Sequence, residues 1–170
     1  EKTEQGINYL ERSLSIKPDN ASAHSNLGNA LKNLNRYEEA LTSFDKAINL
    51  NPNFADAYSN RGVILQEMRR YDEALQSYDE AIRINPNHFF SHGNRGITLK
   101  DLNRYDEALN SYDRAIEINP NFIEAYNNKG NALKDLKRYE EALYNYRRVF
   151  DLKPEYEYNL GRVLHFSMII

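Results

Sequence analysis

Residues 103–122, "NRYDEALNSYDRAIEINPNF", nearly quote two earlier stretches of the same chain. Residues 35–54 read "NRYEEALTSFDKAINLNPNF" and residues 69–88 read "RRYDEALQSYDEAIRINPNH". Residues 137–156 give a looser copy, "KRYEEALYNYRRVFDLKPEY". Pro18, Pro52, Pro86, Pro120 and Pro154 fall 34 residues apart and set the period. Four full units follow, 21–54, 55–88, 89–122 and 123–156, with a partial unit on either side. A recurrence of this length marks a chain of stacked supersecondary units, none of which buries its apolar face alone.

Each unit reads as two helices. In 55–88, Ala74, Leu75, Tyr78, Ala81 and Ile82 stand at i, i+1, i+4, i+7 and i+8, one stripe of a helix and not the alternation of a strand. Tyr58, Leu65 and Met68 give the preceding half its own stripe, with Gly62 among them, and the polar "EMRRY" is the turn between. "INPNH" stops the second helix, because proline disfavours helical geometry in the residue before it. Asp19, Asn53, Asn87 and Asn121 then stand where an N-cap for the next helix is wanted. Gly28, Gly62, Gly96 and Gly130 are expected to permit close approach of two helix backbones, with Ala40, Ala74, Ala108 and Ala142 doing the same from the partner helix.

Unit 21–54 carries Leu27, Gly28, Ala40, Phe44, Ala47 and Pro52. Unit 123–156 carries Tyr126, Gly130, Ala142, Tyr146 and Pro154, with Val149 in place of the second alanine. Over essentially the whole chain this pattern resembles the tetratricopeptide repeat family. The resemblance implies an all-α fold, a right-handed superhelical solenoid of helix-turn-helix repeats whose first helices line a concave groove. One departure stands out: the Leu before Gly becomes Arg61, Arg95 and Lys129. The expected solution is a packed aliphatic stem with the charged head in water, where a nearby carboxylate can pair with it.

The chain is expected to be a single array over 1–170. Residues 1–20 read as the second helix of a truncated repeat, with Ile7, Leu10 and Leu14 as its stripe. Residues 157–170 break the phase, and Leu160, Val163, Leu164, Ser167 and Met168 still form a helical stripe. That stretch reads as a capping helix, or as a junction similar to the one leading into a glycosyltransferase domain in bacterial repeat proteins. A start at Glu1 without Met or an apolar leader suggests a piece of a longer array. Exposed terminal helices are expected to favour self-association.

On the first helices a second set of residues points away from the apolar stripe. It includes Ser22, Ser25, Asn26, Asn29, Lys32 and Asn33; Asp56, Ser59, Asn60, Val63, Gln66 and Glu67; Phe90, Gly93, Asn94, Ile97, Lys100 and Asp101; and Glu124, Asn127, Asn128, Asn131, Lys134 and Asp135. Asn26, Asn60, Asn94 and Asn128 recur once per unit. An amide side chain donates and accepts, so such a row can hold a peptide main chain whatever its side chains. Helices packed ~10 Å apart would place these groups roughly three extended residues from one another. The row is similar to the asparagine ladder in the repeat region of O-linked N-acetylglucosamine transferase. A tolerated polar position is the plainer alternative. Val63, Ile97 and Phe90 add an apolar patch.

Chemistry of other kinds finds little here. The chain has a net charge of −3 and no cysteine, which gives neither a basic field for nucleic acid nor thiol chemistry. No apolar run approaches the roughly 18–20 residues of a membrane span. His88 and His92 have i, i+4 spacing, but "HFFSH" lacks the glutamate of a zinc protease motif, so no metal and no cofactor are expected. No Gly-rich phosphate loop, nucleophile elbow or catalytic constellation is present. The basic clamp with which some family members grip a chaperone tail is missing: Ser25, Asp56, Ser59, Phe90 and Gly93 occupy its places. The expectation is a non-catalytic cytoplasmic scaffold for an extended or helical peptide. The competing expectation is the substrate-recruiting module of a glycosyltransferase with its catalytic domain beyond residue 170.

Overall fold

The structure, a computed structural model, describes residues 2–153, and every regular element among them is helical. Helix α1 spans Lys2–Ile16, α2 Ala21–Lys32, α3 Tyr37–Leu50, α4 Ala55–Glu67 and α5 Tyr71–Ile84. Helix α6 spans Phe89–Asp101, α7 Tyr105–Ile118, α8 Ile123–Asp135 and α9 Tyr139–Leu152. The chain divides into two compact units, residues 1–86 with α1–α5 and residues 87–170 with α6–α9. In the first, α2 packs on α3 and α4 on α5, while α1 meets α2 and α3 meets α4. In the second, α6 packs on α7, α8 on α9, and α7 on α8. The stretch 157–170, read as a capping or junction helix, lies outside the described residues. None of the described helices is long and apolar enough to cross a membrane.

Each helix pair is built on one ring. Phe44, Tyr78, Tyr112 and Tyr146 are fully buried, and each lies on the glycine of the preceding helix. A Cβ on Gly28 would stand 2.8 Å from Phe44 Cζ, and one on Gly62 would stand 2.6 Å from Tyr78 Cε1. On Gly96 the distance to Tyr112 Cε1 would be 2.6 Å, and on Gly130 the distance to Tyr146 Cε1 would be 2.7 Å. The glycines therefore make room for an aromatic ring, not for a second backbone as the sequence suggested. Burying a ring of about 200 Å² contributes roughly 5 kcal/mol at most, so these seats dominate each pair.

The turns inside each pair are cut by a left-handed residue. Asn35, Arg69 and Asn103 have φ of 58°, and Lys137 has φ of 60°. The next amide then bonds back five residues, Arg70 N–H to the Leu65 carbonyl at 2.8 Å and Arg138 N–H to that of Leu133 at 2.9 Å. This is the Schellman closure, usually given to glycine. The same arginines fork their side chains onto the first turn of the second helix. Arg70 Nε and Nη2 each donate to Glu73 at 2.7 Å, and Arg36, Arg104 and Arg138 repeat the bond to Glu39, Glu107 and Glu141. Hydrogen bonding to arginine holds all four carboxyls below their ordinary range. Both partners face solvent, so the forks orient the turn more than they stabilise it.

The helix starts differ from the sequence expectation. The N-caps are Asn20, Phe54, His88 and Phe122, one residue after Asp19, Asn53, Asn87 and Asn121. Asn51 and Asn119 close the proline turn first, their Oδ1 atoms accepting from Asn53 N–H at 3.2 Å and Asn121 N–H at 3.1 Å. That Asx turn delays entry into helical geometry by one residue.

Arg69 is a β-carbon-bearing residue in a left-handed seat with no special need for its side chain there. Arg69→Gly is expected to raise unfolding stability by about 0.5–1 kcal/mol, measured by urea denaturation, because relief of the Cβ clash exceeds the added chain entropy. A loss of stability would mean that the Arg69 side chain contributes contacts of its own.

Candidate functional site

Each first helix carries its ring-bearing glycine and, two residues earlier, an asparagine. At 100° per residue the two lie about 200° apart, so the asparagine cannot face the core. Asn26 is exposed, and Asn60, Asn94 and Asn128 are partly so. Among the described residues, no hydrogen bond engages the side-chain amides of these four. Helices α2 and α4 adjoin in the first unit and α6 and α8 in the second. The asparagines thus form one pair per unit, Asn26 with Asn60 and Asn94 with Asn128.

Around them the other expected residues divide. Asn29, Lys32 and Lys134 are partly exposed and enter no ion pair or side-chain hydrogen bond among the described residues. Lys100 Nζ stands 4.0 Å from Asp101. Asn131 is half-committed, its Oδ1 accepting the Tyr146 hydroxyl at 2.9 Å. Val63 packs against the core of the first unit, whereas Ile97 stays partly open. Ser25, Ser59 and Gly93, expected on the open face, are buried. At Gly93 the reason is plain: Phe122 Cε1 lies 2.8 Å from where a Cβ would be.

That ring belongs to a group the sequence reading missed. Phe89, Phe90 and Phe122 form a cluster with centroids 4.1 Å (Phe89–Phe90), 5.0 Å (Phe89–Phe122) and 5.5 Å (Phe90–Phe122) apart. The two contacts with Phe122 are edge-on, the favoured arrangement for aromatic quadrupoles. Phe90 nevertheless remains 52% exposed, beside Asn94 on the same helix. The available signal was "HFF" at 88–90 with Phe122 set 34 residues after His88.

The ring tips also differ between repeats. Tyr78 donates to Gln66 Oε1 at 3.1 Å and Tyr146 donates to Asn131. Tyr112 is buried with no partner for its hydroxyl. Its two candidate acceptors are lost, since Lys100 stands where Gln66 would and Ile97 where Asn131 would. Burial first, and Asp101 second, push this hydroxyl well above the ordinary tyrosine range.

The cations at the Leu position are tied down. Arg61 Nε donates to Asp45 Oδ1 at 2.7 Å and its Nη1 to Ser77 Oγ at 2.7 Å. Arg95 reaches Ser111 Oγ at 2.8 Å, and Lys129 pairs with Asp113. Their heads are therefore held by fixed partners and not simply dissolved in water. His88 caps α6, its Nδ1 accepting from Ser91 N–H at 3.2 Å. Among the described residues no group of three or more His, Cys, Asp or Glu is placed to hold a metal ion.

Sequence models described as "Tetratricopeptide repeat" match residues 55–88 and 123–156, and residues 9–42 and 77–110; one described as "TPR repeat" matches 29–68 and 96–137. No curated protein matches the chain. Among solved structures, MamA is similar at 22% identity and a TM-score of 0.81, covering 90% of each chain. MamA 41-end from Desulfovibrio magneticus RS-1 gives 21% and 0.80, covering 91% of this chain and 87% of its own. YrrB, described as a TPR protein with an unusual peptide-binding site, gives 23% and 0.75, covering 95% and 83%.

The unequal ring tips have opposite consequences. Tyr112→Phe removes a buried donor that has no acceptor and is expected to leave stability unchanged or raise it by about 1 kcal/mol. Tyr146→Phe removes a formed bond and orphans Asn131 Oδ1, with an expected loss of about 1–2 kcal/mol. Thermal unfolding of both variants checks the pair, and equal losses would contradict it.

Proposed function

Because the chain belongs to the tetratricopeptide repeat family, we propose that it is a non-catalytic interaction scaffold whose first helices hold an extended peptide by its main chain. The observation that carries this reading is the pair of outward asparagines in each unit, on adjoining helices, with side-chain amides that no other described residue hydrogen-bonds. An amide side chain can accept a peptide N–H and donate to a peptide C=O at once, which suits a ligand read by backbone more than by side chain. Beside Asn94, the half-exposed Phe90 and Ile97 offer an apolar seat for one ligand side chain. Asn29, Lys32, Lys100 and Lys134 supply polar and cationic margins, and Asn60 and Val63 complete the face of the first unit. YrrB, of like fold, has a peptide-binding site, which supports the class of ligand.

The test uses a peptide selected from a random displayed library on the whole chain. Asn94→Ala with Asn128→Ala should weaken that peptide by about 5- to 150-fold, from ~0.5–1.5 kcal/mol net per asparagine. Melting temperature should barely move, because these side chains make no packing contacts of consequence. Calorimetric titration beside thermal unfolding reads both. Unchanged affinity with a large drop in melting temperature would assign the asparagines to the fold and end the proposal.

A further inference from the structure

The ring that the fold leaves half in water stands beside a carboxylate without a partner. Phe90 is 52% exposed in the first turn of α6, and Glu124 is exposed in the first turn of α8. They are 34 residues apart and so occupy the same level of two adjoining first helices. Phe90 leans toward α8: its ring centroid is 5.5 Å from that of Phe122, the N-cap of α8, two residues before Glu124. Among the described residues Glu124 enters no ion pair or side-chain hydrogen bond. The arginine and lysines of α6 and α8 are committed or distant. Arg95 is bonded to Ser111 and Lys129 is paired with Asp113. Lys100 and Lys134 stand ten residues further along each helix, roughly 15 Å away by the helical rise.

An exposed ring alone would suit any apolar side chain, but such a side chain would also dry the unpaired carboxylate, which is costly. A guanidinium answers both groups at once. Its flat face stacks within about 6 Å of a ring centroid, and its edge donates two N–H groups to a carboxylate at about 2.8 Å. A lysine ammonium has neither the flat face nor the fork. The geometry points to a subsite for an arginine side chain of the bound peptide, its guanidinium held between Phe90 and Glu124. Each of these residues stands four before an outward asparagine, Asn94 or Asn128, on the same face of its helix. A main chain held at those asparagines, as proposed above, sends one of its alternating side chains toward the pair. The subsite rests on that reading for the direction of the ligand alone. At the corresponding level of the first unit stand Ser22 and Asp56, with no ring, so the preference belongs to the second unit.

Two blocked tripeptides test the subsite on the whole chain: acetyl-alanyl-arginyl-alanine amide, and the same peptide with citrulline for arginine. Citrulline keeps the planar shape and loses the charge. Titrated against isotope-labelled protein, the arginine peptide should give saturable shifts at the Phe90 ring and the Glu124 side chain, with a Kd of about 1–10 mM. The citrulline peptide should bind at least about 5-fold more weakly. Glu124→Gln removes a carboxylate that forms no bond in the fold, so it should keep the parent melting temperature and bring the two peptides to equal affinity. Phe90→Leu should weaken the arginine peptide about 2- to 5-fold. Equal binding of the two peptides by the parent, shifts absent up to about 20 mM or confined elsewhere, or an arginine preference that survives Glu124→Gln would each overturn the subsite. Asn94→Ala with Asn128→Ala should weaken both peptides and leave their ratio intact. Unchanged affinities with the ratio intact would end the main-chain reading while upholding the subsite.

Discussion

A ring seated on a glycine is the contact from which the rest of each repeat follows. Phe44, Tyr78, Tyr112 and Tyr146 lie wholly out of water, and each needs the missing Cβ of Gly28, Gly62, Gly96 or Gly130. The seat fixes which side of the first helix faces its partner. Helical geometry then assigns the opposite side: Asn26, Asn60, Asn94 and Asn128 stand two residues before the glycines and must look outward. Packing on one side of the helix thus decides which residues face outward on the other.

With the frame repeated, individuality sits in the places that the frame leaves undetermined. The ring hydroxyl is one: satisfied at Tyr78 and Tyr146, orphaned at Tyr112. The aromatic cluster of Phe89, Phe90 and Phe122 is another, made possible by Gly93. In each case one repeat departs from its neighbours in a side chain that the helix pair itself does not require. Phe90 packs on Phe89 and Phe122 with about half its surface, and the half left in water gains nothing from folding.

The helix pairs and their 34-residue interval could be read from spacing, since both depend on periodicity within one stretch of chain. What escaped the reading depends on contacts between stretches. Arg61 finds Asp45 sixteen residues back on a different helix, and no local pattern names that partner. The left-handed seats at Arg69 and Lys137 carry no glycine to announce them. Ser25 and Ser59 fall on the outward side by phase, yet both are buried in the folded chain. The caps slipped by one residue because the Asn51 and Asn119 side chains spend their hydrogen bonds inside the proline turn. The role of the glycines was misjudged for the same reason: their vacancy is visible in sequence, but the ring that fills it comes from another helix.

Gly96→Ala, followed by equilibrium unfolding, puts the ring-on-glycine seat to the most direct test, because two effects predict opposite signs. Helix propensity alone would stabilise α6 by about 0.8–1 kcal/mol. The added Cβ, however, would stand 2.6 Å from Tyr112 Cε1, and a ring with no exposed surface has no room to yield. Overpacking of that kind costs about 1–3 kcal/mol or more, so the expected net result is a clear loss of stability. A variant as stable as the parent, or more so, would show that the ring is not seated on the glycine, and the orientation derived for the outward face would fall with it.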